Sequence, residues 1–248
     1  MRYFLYLSYN GTNYHGWQVQ PNGVSVQEVL KRTLETILRK PTELTAAGRT
    51  DTGVHARLMV AHFDTELAVD DKQHFVSRMN SILPNDIAAH KLIQVKADAH
   101  ARFDAISRRY EYHVVTHKHV FKQNLAVRLN EHLDFNKMNE AAATLKDYTD
   151  FSSFSKLHTD VKTNNCVIYD ACWEQQGDSW VFRIEANRFL RNMVRAIVGT
   201  LLEVGRQKID IEAFRSIIEA KNRCKAGASV PACGLYLVDI KYPDEVFV

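Results

Sequence analysis

The chain has 248 residues, 46% of them hydrophobic and 25% charged, with a formal net charge of +3. This is ordinary for a globular protein and long enough for one large domain or two small ones. No apolar run approaches the ~18 residues of a membrane span, and the N-terminal residues Met1-Arg2-Tyr3-Phe4-Leu5-Tyr6-Leu7 form no cleavable signal, so a cytoplasmic protein with no membrane partner is expected.

In chain order, residues 2–9 alternate like a strand. Ser25 and Glu28 then form a capping box, and Val26, Val29, Leu30, Leu34, Ile37 and Leu38 recur at helical spacing. Residues 44–47 and 58–63 read as strands. Residues 71–83 read as a helix ended near Pro84, and 87–95 as a strand. The order β-α-β-β-α-β is the split βαβ, or ferredoxin-like, arrangement. The second half repeats it. Strands are expected at 104–115, 166–174, 180–186 and 235–241, and helices at 136–146, 190–204 and 211–220. The fold class is therefore α+β, with two ferredoxin-like halves, residues 1–103 and 104–248.

Charge is unevenly spread. Residues 183–208 carry a net +4 and residues 102–122 a net +3, which leaves −4 for the rest. Clustered positive charge is the footprint of a polyanion binder, although solvated basic faces would look the same. The cysteines Cys166, Cys172, Cys224 and Cys233 have no C-x-x-C spacing, which favours free thiols over a disulfide framework or a zinc site. His113, His117 and His119 cluster without a carboxylate partner in a metal-ligand pattern, and they read as surface histidines.

The most informative stretch is Gly48-Arg49-Thr50-Asp51-Thr52-Gly53-Val54-His55-Ala56. One carboxylate stands between two glycines, beside a guanidinium that favours its ionised form. Glycines on both sides allow a tight turn and a close approach to another molecule. The loop either presents Asp51 as a nucleophile or base, or is a plain β-turn before a strand. Further on, Arg108, Tyr110 and Tyr112 fall on one face of a strand, where an aromatic beside a cation suits a flipped base. Half-buried sheet tyrosines would show the same pattern. On the expected 190–204 helix, Arg188, Arg191 and Arg195 gather on a different side from the apolar stripe of Leu190, Met193, Val194, Ile197, Val198 and Leu201.

These segments resemble the TruA-type tRNA pseudouridine synthases. The usual loop pattern there is G-R-T-D-A-G-V-H-A, and only Thr52 departs from it. The resemblance continues in Gly11-Thr12-Asn13-Tyr14-His15-Gly16-Trp17-Gln18, Ser25-Val26-Gln27, Leu83-Pro84-Asn85-Asp86-Ile87 and His100-Ala101-Arg102-Phe103. It extends through Arg108-x-Tyr110-x-Tyr112, Phe189-Leu190-Arg191-Asn192-Met193-Val194-Arg195 and Pro231-Ala232-Cys233-Gly234-Leu235-Tyr236-Leu237. Asn10 stands where the family usually has aspartate. The resemblance implies a cofactor-independent, metal-free enzyme that isomerises uridines 38, 39 and 40 of the tRNA anticodon arm and acts as a homodimer. It implies one extended, mainly antiparallel sheet with the active site in a cleft between the halves. It assigns Asp51 as nucleophile, Arg195 as its ion-pair partner and Tyr110 as the uracil-stacking ring. Arg49, Arg188 and Arg191 become candidate RNA backbone contacts, and Leu235 a candidate uracil contact. A non-catalytic RNA-binding protein on the same scaffold is the first rival. A metal-dependent nuclease or phosphatase is the second, but the loop offers Asp51 no second carboxylate.

Overall fold

A computed structural model of the protein describes residues 1–66, 68–156 and 163–248. The chain is α+β, with mainly antiparallel strands and five α-helices among the described residues. It forms two compact units, Met1–Ile106 with Tyr236–Val248, and Ser107–Leu235.

In the first unit, β1 (Arg2–Tyr9) lies between β3 (His55–Asp64) and β4 (Ile87–Val95), antiparallel to both. The two-residue β2 (Thr45–Ala46) pairs with β3, which completes the strand order of a split βαβ motif. Five consecutive residues of β1, from Tyr3 to Leu7, are buried, so the expected alternation between core and solvent is absent because this central strand is covered on both faces. Tyr3 stacks on Phe63, and Phe63 on Phe75 of α2 (Lys72–Ile82). Phe4, on the opposite face, meets the rings of Tyr242 and Phe247.

Local chemistry sets the helices. The Ser25 hydroxyl accepts the Glu28 amide and caps α1 (Val26–Leu38), which buries Val26, Leu30, Leu34 and Ile37. Only half of the expected capping box forms, because the Glu28 carboxylate accepts from Arg32 one turn on. Asp71 caps α2 through the His74 amide, and the helix stops at Leu83, ahead of Pro84.

In the second unit, β5 (Ser107–Val115), β8 (Ser179–Ala186) and β7 (Ile168–Gln176) form an antiparallel run in that spatial order. A short β6 (Val127–Arg128) pairs with the end of β5. Helices α3 (Phe135–Ala143), α4 (Met193–Gly205) and α5 (Ile211–Glu219) belong to the same unit. Helix α4 is apolar nearly all round and buries eleven of its thirteen residues, so it is a core helix.

Several sequence-based boundaries shift, among them the strand expected at 166–174, which runs Ile168–Gln176, and four shifts have a clear physical reason. Strand β3 starts at His55, ahead of the expected residue 58, because His55 and Ala56 pair in parallel with Tyr236 and Leu237 of β9 (Leu235–Lys241). Strand β5 starts at Ser107, past the expected 104, because Asp104 closes a turn back onto His100. The last turn expected of α3 tightens to a 3-10 turn at Thr144–Asp147. Helix α4 begins at Met193 and not at residue 190, after Asn192 adopts a left-handed conformation (φ 67°, ψ 2°). Arg188 and Arg191 thus precede the helix, and the expected basic stripe of Arg188, Arg191 and Arg195 is not a helical face. A division at residues 103/104 also places the C-terminal tail in the second half, whereas Tyr236–Val248 clusters with the first unit.

Phe4 is fully buried between the sheet and this tail. Phe4→Ala is expected to cost about 3–5 kcal/mol in chemical denaturation. Amide exchange in residues 236–248 should accelerate in the variant if the tail is anchored by this contact.

Candidate active site

Asp51 lies in the first unit, in the turn that leads into β3. Its carbonyl accepts the Val54 amide (3.1 Å), and Gly53 takes a φ of 77°, in the left-handed region that side chains avoid. The backbone is thus a β-turn, as the plainer reading of the sequence held. Gly48 has neither a positive φ nor a close neighbour, so only one of the two flanking glycines is required by the turn.

The turn is held tightly from several directions. The Thr50 carbonyl accepts the Trp17 amide (3.1 Å), and the Thr50 hydroxyl lies 2.8 Å from that of Tyr9. Gly16 runs so close to this carbonyl that a Cβ there would sit 2.4 Å from the oxygen, and its φ of 79° is itself unsuited to a side chain. The Gly11 amide donates to Nδ1 of buried His55 (3.0 Å), which places the neutral ring's proton on Nε2. The His55 ring stacks on Tyr236 at 4.6 Å, and the Arg57 guanidinium lies 5.4 Å from the same Tyr236 ring. The Tyr14 hydroxyl donates to Asp86 (2.5 Å), while burial, reinforced by that carboxylate, raises its pKa and keeps it a donor. Residues 11–17 therefore pack directly against the turn that carries Asp51, with Asp86 joined to them through Tyr14 and Tyr236 joined to the turn through His55.

The two departures from the family pattern have simple settings. The Asn10 side-chain oxygen accepts the Thr12 amide (3.1 Å) and hydroxyl (2.7 Å), capping a short 3-10 turn. An aspartate oxygen would accept the same bonds, so the cap does not require a charge. The Thr52 side chain is exposed, and its extra atoms relative to alanine displace no core. Asp51 itself is half-buried, and Arg49 is exposed.

Tyr110, Arg188, Arg191, Arg195 and Leu235 belong to the second unit. Tyr110 is half-buried on β5 opposite Ile184, with its ring edge-to-face against Phe189 (5.1 Å, 87°). Arg108, two residues before it, donates to the Asn187 carbonyl (2.8 Å). Tyr112 is fully buried and donates to the Pro231 carbonyl (2.9 Å), which makes it a structural residue. Arg195 is half-buried on the first turn of α4. Its Nε donates to the Val230 carbonyl (2.8 Å), and its own carbonyl accepts the Val230 amide (3.2 Å). The Nε bond restricts the plane of the guanidinium. Arg188 is half-buried and Arg191 exposed, and Leu235 is buried at the start of β9.

Much of the positive charge counted in the sequence is spent locally. Arg109 pairs with Glu185, Arg183 with Glu174 and Lys122 with Asp178, while Arg206 bridges Glu131 and Glu203. The clustered histidines do pair with carboxylates, His113 with Glu111, and His117 and His119 together with Asp178, and only His117 is the exposed surface histidine the sequence suggested, because His113 and His119 are mostly covered. Among the described residues no group of three or more His, Cys, Asp or Glu is placed to hold a metal ion. All four cysteines are free thiols, and burial pushes those of Cys166 and Cys172 up to about 11.

Two residues with evident positioning roles carried no assignment from sequence. His55 orients the turn from below, and Phe189 braces Tyr110. Both sit in quoted motifs, but neither spacing nor type distinguishes a buried bracing ring from core.

A family model described as tRNA pseudouridine synthase matches residues 6–104 and 141–243. The chain is 58% identical over 246 residues to tRNA pseudouridine synthase A of Parabacteroides distasonis, covering 99% of this chain and 98% of that one. It is 59% identical to the Bacteroides fragilis protein of the same name, with the same coverage, and 40% identical to that of Vibrio campbellii, covering 99% and 93%. The chain belongs to the tRNA pseudouridine synthase family.

The packing beneath the turn has measurable consequences. Gly16→Ala and His55→Ala should each destabilise the protein by about 1–3 kcal/mol, the first by a backbone clash and the second by orphaning the Gly11 amide. Both should also lose most turnover. Chemical denaturation beside a tritium-release assay on C5-labelled tRNA checks this, and unchanged activity in both variants would show that turn geometry does not matter.

Proposed function

We propose that this member of the tRNA pseudouridine synthase family isomerises uridines 38, 39 and 40 of the tRNA anticodon stem-loop, with Asp51 as its catalytic carboxylate. The observation that supports the reading is the Asp51 turn, a single carboxylate on a turn packed against residues 11–17 and, through His55, against Tyr236. The reaction breaks the C1′–N1 glycosidic bond, turns the uracil and forms a C1′–C5 bond. C5 gives up a proton and N1 gains one, so the composition is unchanged and no oxidant or phosphate donor is consumed. A carboxylate can attack C1′ and leave as the new bond forms, or it can support cleavage at the sugar.

Either route calls for an ionised and oriented carboxylate. Arg195 is proposed as its ion-pair partner, since a guanidinium offers two parallel donors to two carboxylate oxygens. The bond from Nε to Val230 supports this role by restricting the side chain before substrate arrives. Tyr110, braced by Phe189, is proposed to stack on the uracil, and Leu235 to pack against it. Arg49, Arg188 and Arg191 are proposed to meet the RNA backbone. The enzyme is proposed to act in the cytoplasm as a homodimer, without metal or cofactor.

The rival, a non-catalytic RNA-binding protein, is separated by one substitution. Asp51→Asn should abolish tritium release from C5-labelled uridine while tRNA binding survives, because one side chain adds little to a phosphate-dominated interface. Substantial turnover in the purified variant would remove Asp51 from the chemistry.

Arg195→Lys distinguishes an ion-pair role from a phosphate contact. Lysine keeps the charge and loses the fork, so the single-turnover rate at saturating enzyme should fall at least about tenfold while affinity stays close to wild type. A lysine variant of normal rate, with an alanine variant that binds weakly, would assign Arg195 to the RNA backbone instead.

A further inference from the structure

The turn at residues 100–104 matches the family pattern, yet the chemistry above gives it no task. It ends in the most exposed aromatic ring of the first unit, Phe103, 72% exposed. An aromatic left in water forgoes the stabilisation of burial, so its surroundings matter. They are highly ordered. The His100 amide donates to the Asp104 carboxylate (2.7 Å), and the Asp104 amide returns to the His100 carbonyl (3.0 Å). His100 Nδ1 accepts the amides of both Arg102 (3.1 Å) and Phe103 (3.3 Å). The Ala101 amide donates to Nδ1 of buried His62 (3.1 Å), and its carbonyl accepts the Tyr242 hydroxyl (2.6 Å). Every backbone amide from 100 to 104 is thus engaged. The His100 ring lies 4.3 Å from that of Phe103 at 33°, and the Arg102 guanidinium 5.5 Å from the same ring.

We propose that Phe103 and Arg102 form a preformed platform on which an unpaired nucleotide of the tRNA stacks, with the guanidinium beside its phosphate. This rests on tRNA being the substrate, as proposed above. A ring with an adjacent cation matches a base and its phosphate, since every base offers a π-face and each nucleotide one negative charge. The rigid turn lowers the ordering cost of binding, because the ring is already held by His100. The platform lies outside the Asp51 turn, so its contribution is to holding RNA.

The test is equilibrium binding of an unmodified tRNA transcript to the wild type and to Phe103→Ala, Phe103→Leu and Phe103→Trp, with sedimentation of each protein. Loss of a stacked base should weaken binding by about five- to 150-fold in the alanine and leucine variants, while tryptophan stays within a few-fold of wild type. The ring is exposed, so all three variants should fold. Alanine binding as tightly as wild type overturns the proposal, as does tryptophan binding no better than leucine. A change in sedimentation with unchanged affinity also overturns it and assigns the ring to contact between copies of the chain. Tritium release by the wild type on the same transcript tests the catalytic reading separately, so a protein that binds through Phe103 but does not turn over would sink that reading and leave the platform standing.

Discussion

The constraint on which the candidate site depends is the approach of the Gly11 segment to the end of the Asp51 turn. The Gly11 amide meets His55 at 3.0 Å, and the position of a Gly11 Cβ is already occupied, 2.0 Å from the Val54 carbonyl oxygen. Backbone packed this closely cannot slide by an ångström without losing a buried hydrogen bond or making a clash. The end of the turn carrying Asp51 is therefore fixed against the Gly11 segment. His55 extends the same rigidity into the C-terminal tail, since its ring stacks on Tyr236 where β3 and β9 pair. In the proposed role, a carboxylate directed at one carbon of a bound nucleotide gains from such preorganisation, because little reorganisation is left for the moment of reaction.

The second unit applies the same principle with different materials. Tyr110 cannot rely on burial to hold its ring, so Phe189 braces it from the edge. Arg195 has a long and flexible side chain, and a hydrogen bond to the Val230 carbonyl restricts it. The left-handed Asn192 ends the 187–191 segment and starts α4, so the residues before and after it are placed by different rules. In Phe189-Leu190-Arg191-Asn192-Met193-Val194-Arg195, one stretch of sequence thus serves two local structures.

Charge shows how a sequence count can mislead. The two basic segments sum to a strong excess, yet Arg109, Arg183, Arg206 and Lys122 each meet a carboxylate within their own unit. Several of those carboxylates, such as Glu174 and Glu185, lie on neighbouring strands, and local net charge along the chain cannot register such pairings. What reaches an incoming polyanion is the remainder after these pairings.

Features governed by local chemistry were legible in the sequence. The Ser25 cap, the stop before Pro84, the α1 apolar stripe and the β-α-β-β-α order are set by neighbours within a few residues, and they stand where expected. The ordered motifs also identified the family and singled out Asp51. The start of β3, the attachment of residues 236–248 to the first unit, and the contacts of His55 and Phe189 were set by long-range packing. Each of these depends on residues brought together from far apart in the chain, such as Gly11 with His55 or His55 with Tyr236. Periodicity reports which face of an element is apolar, but it cannot report which distant backbone will press against that face, because that choice is made by packing of the whole unit.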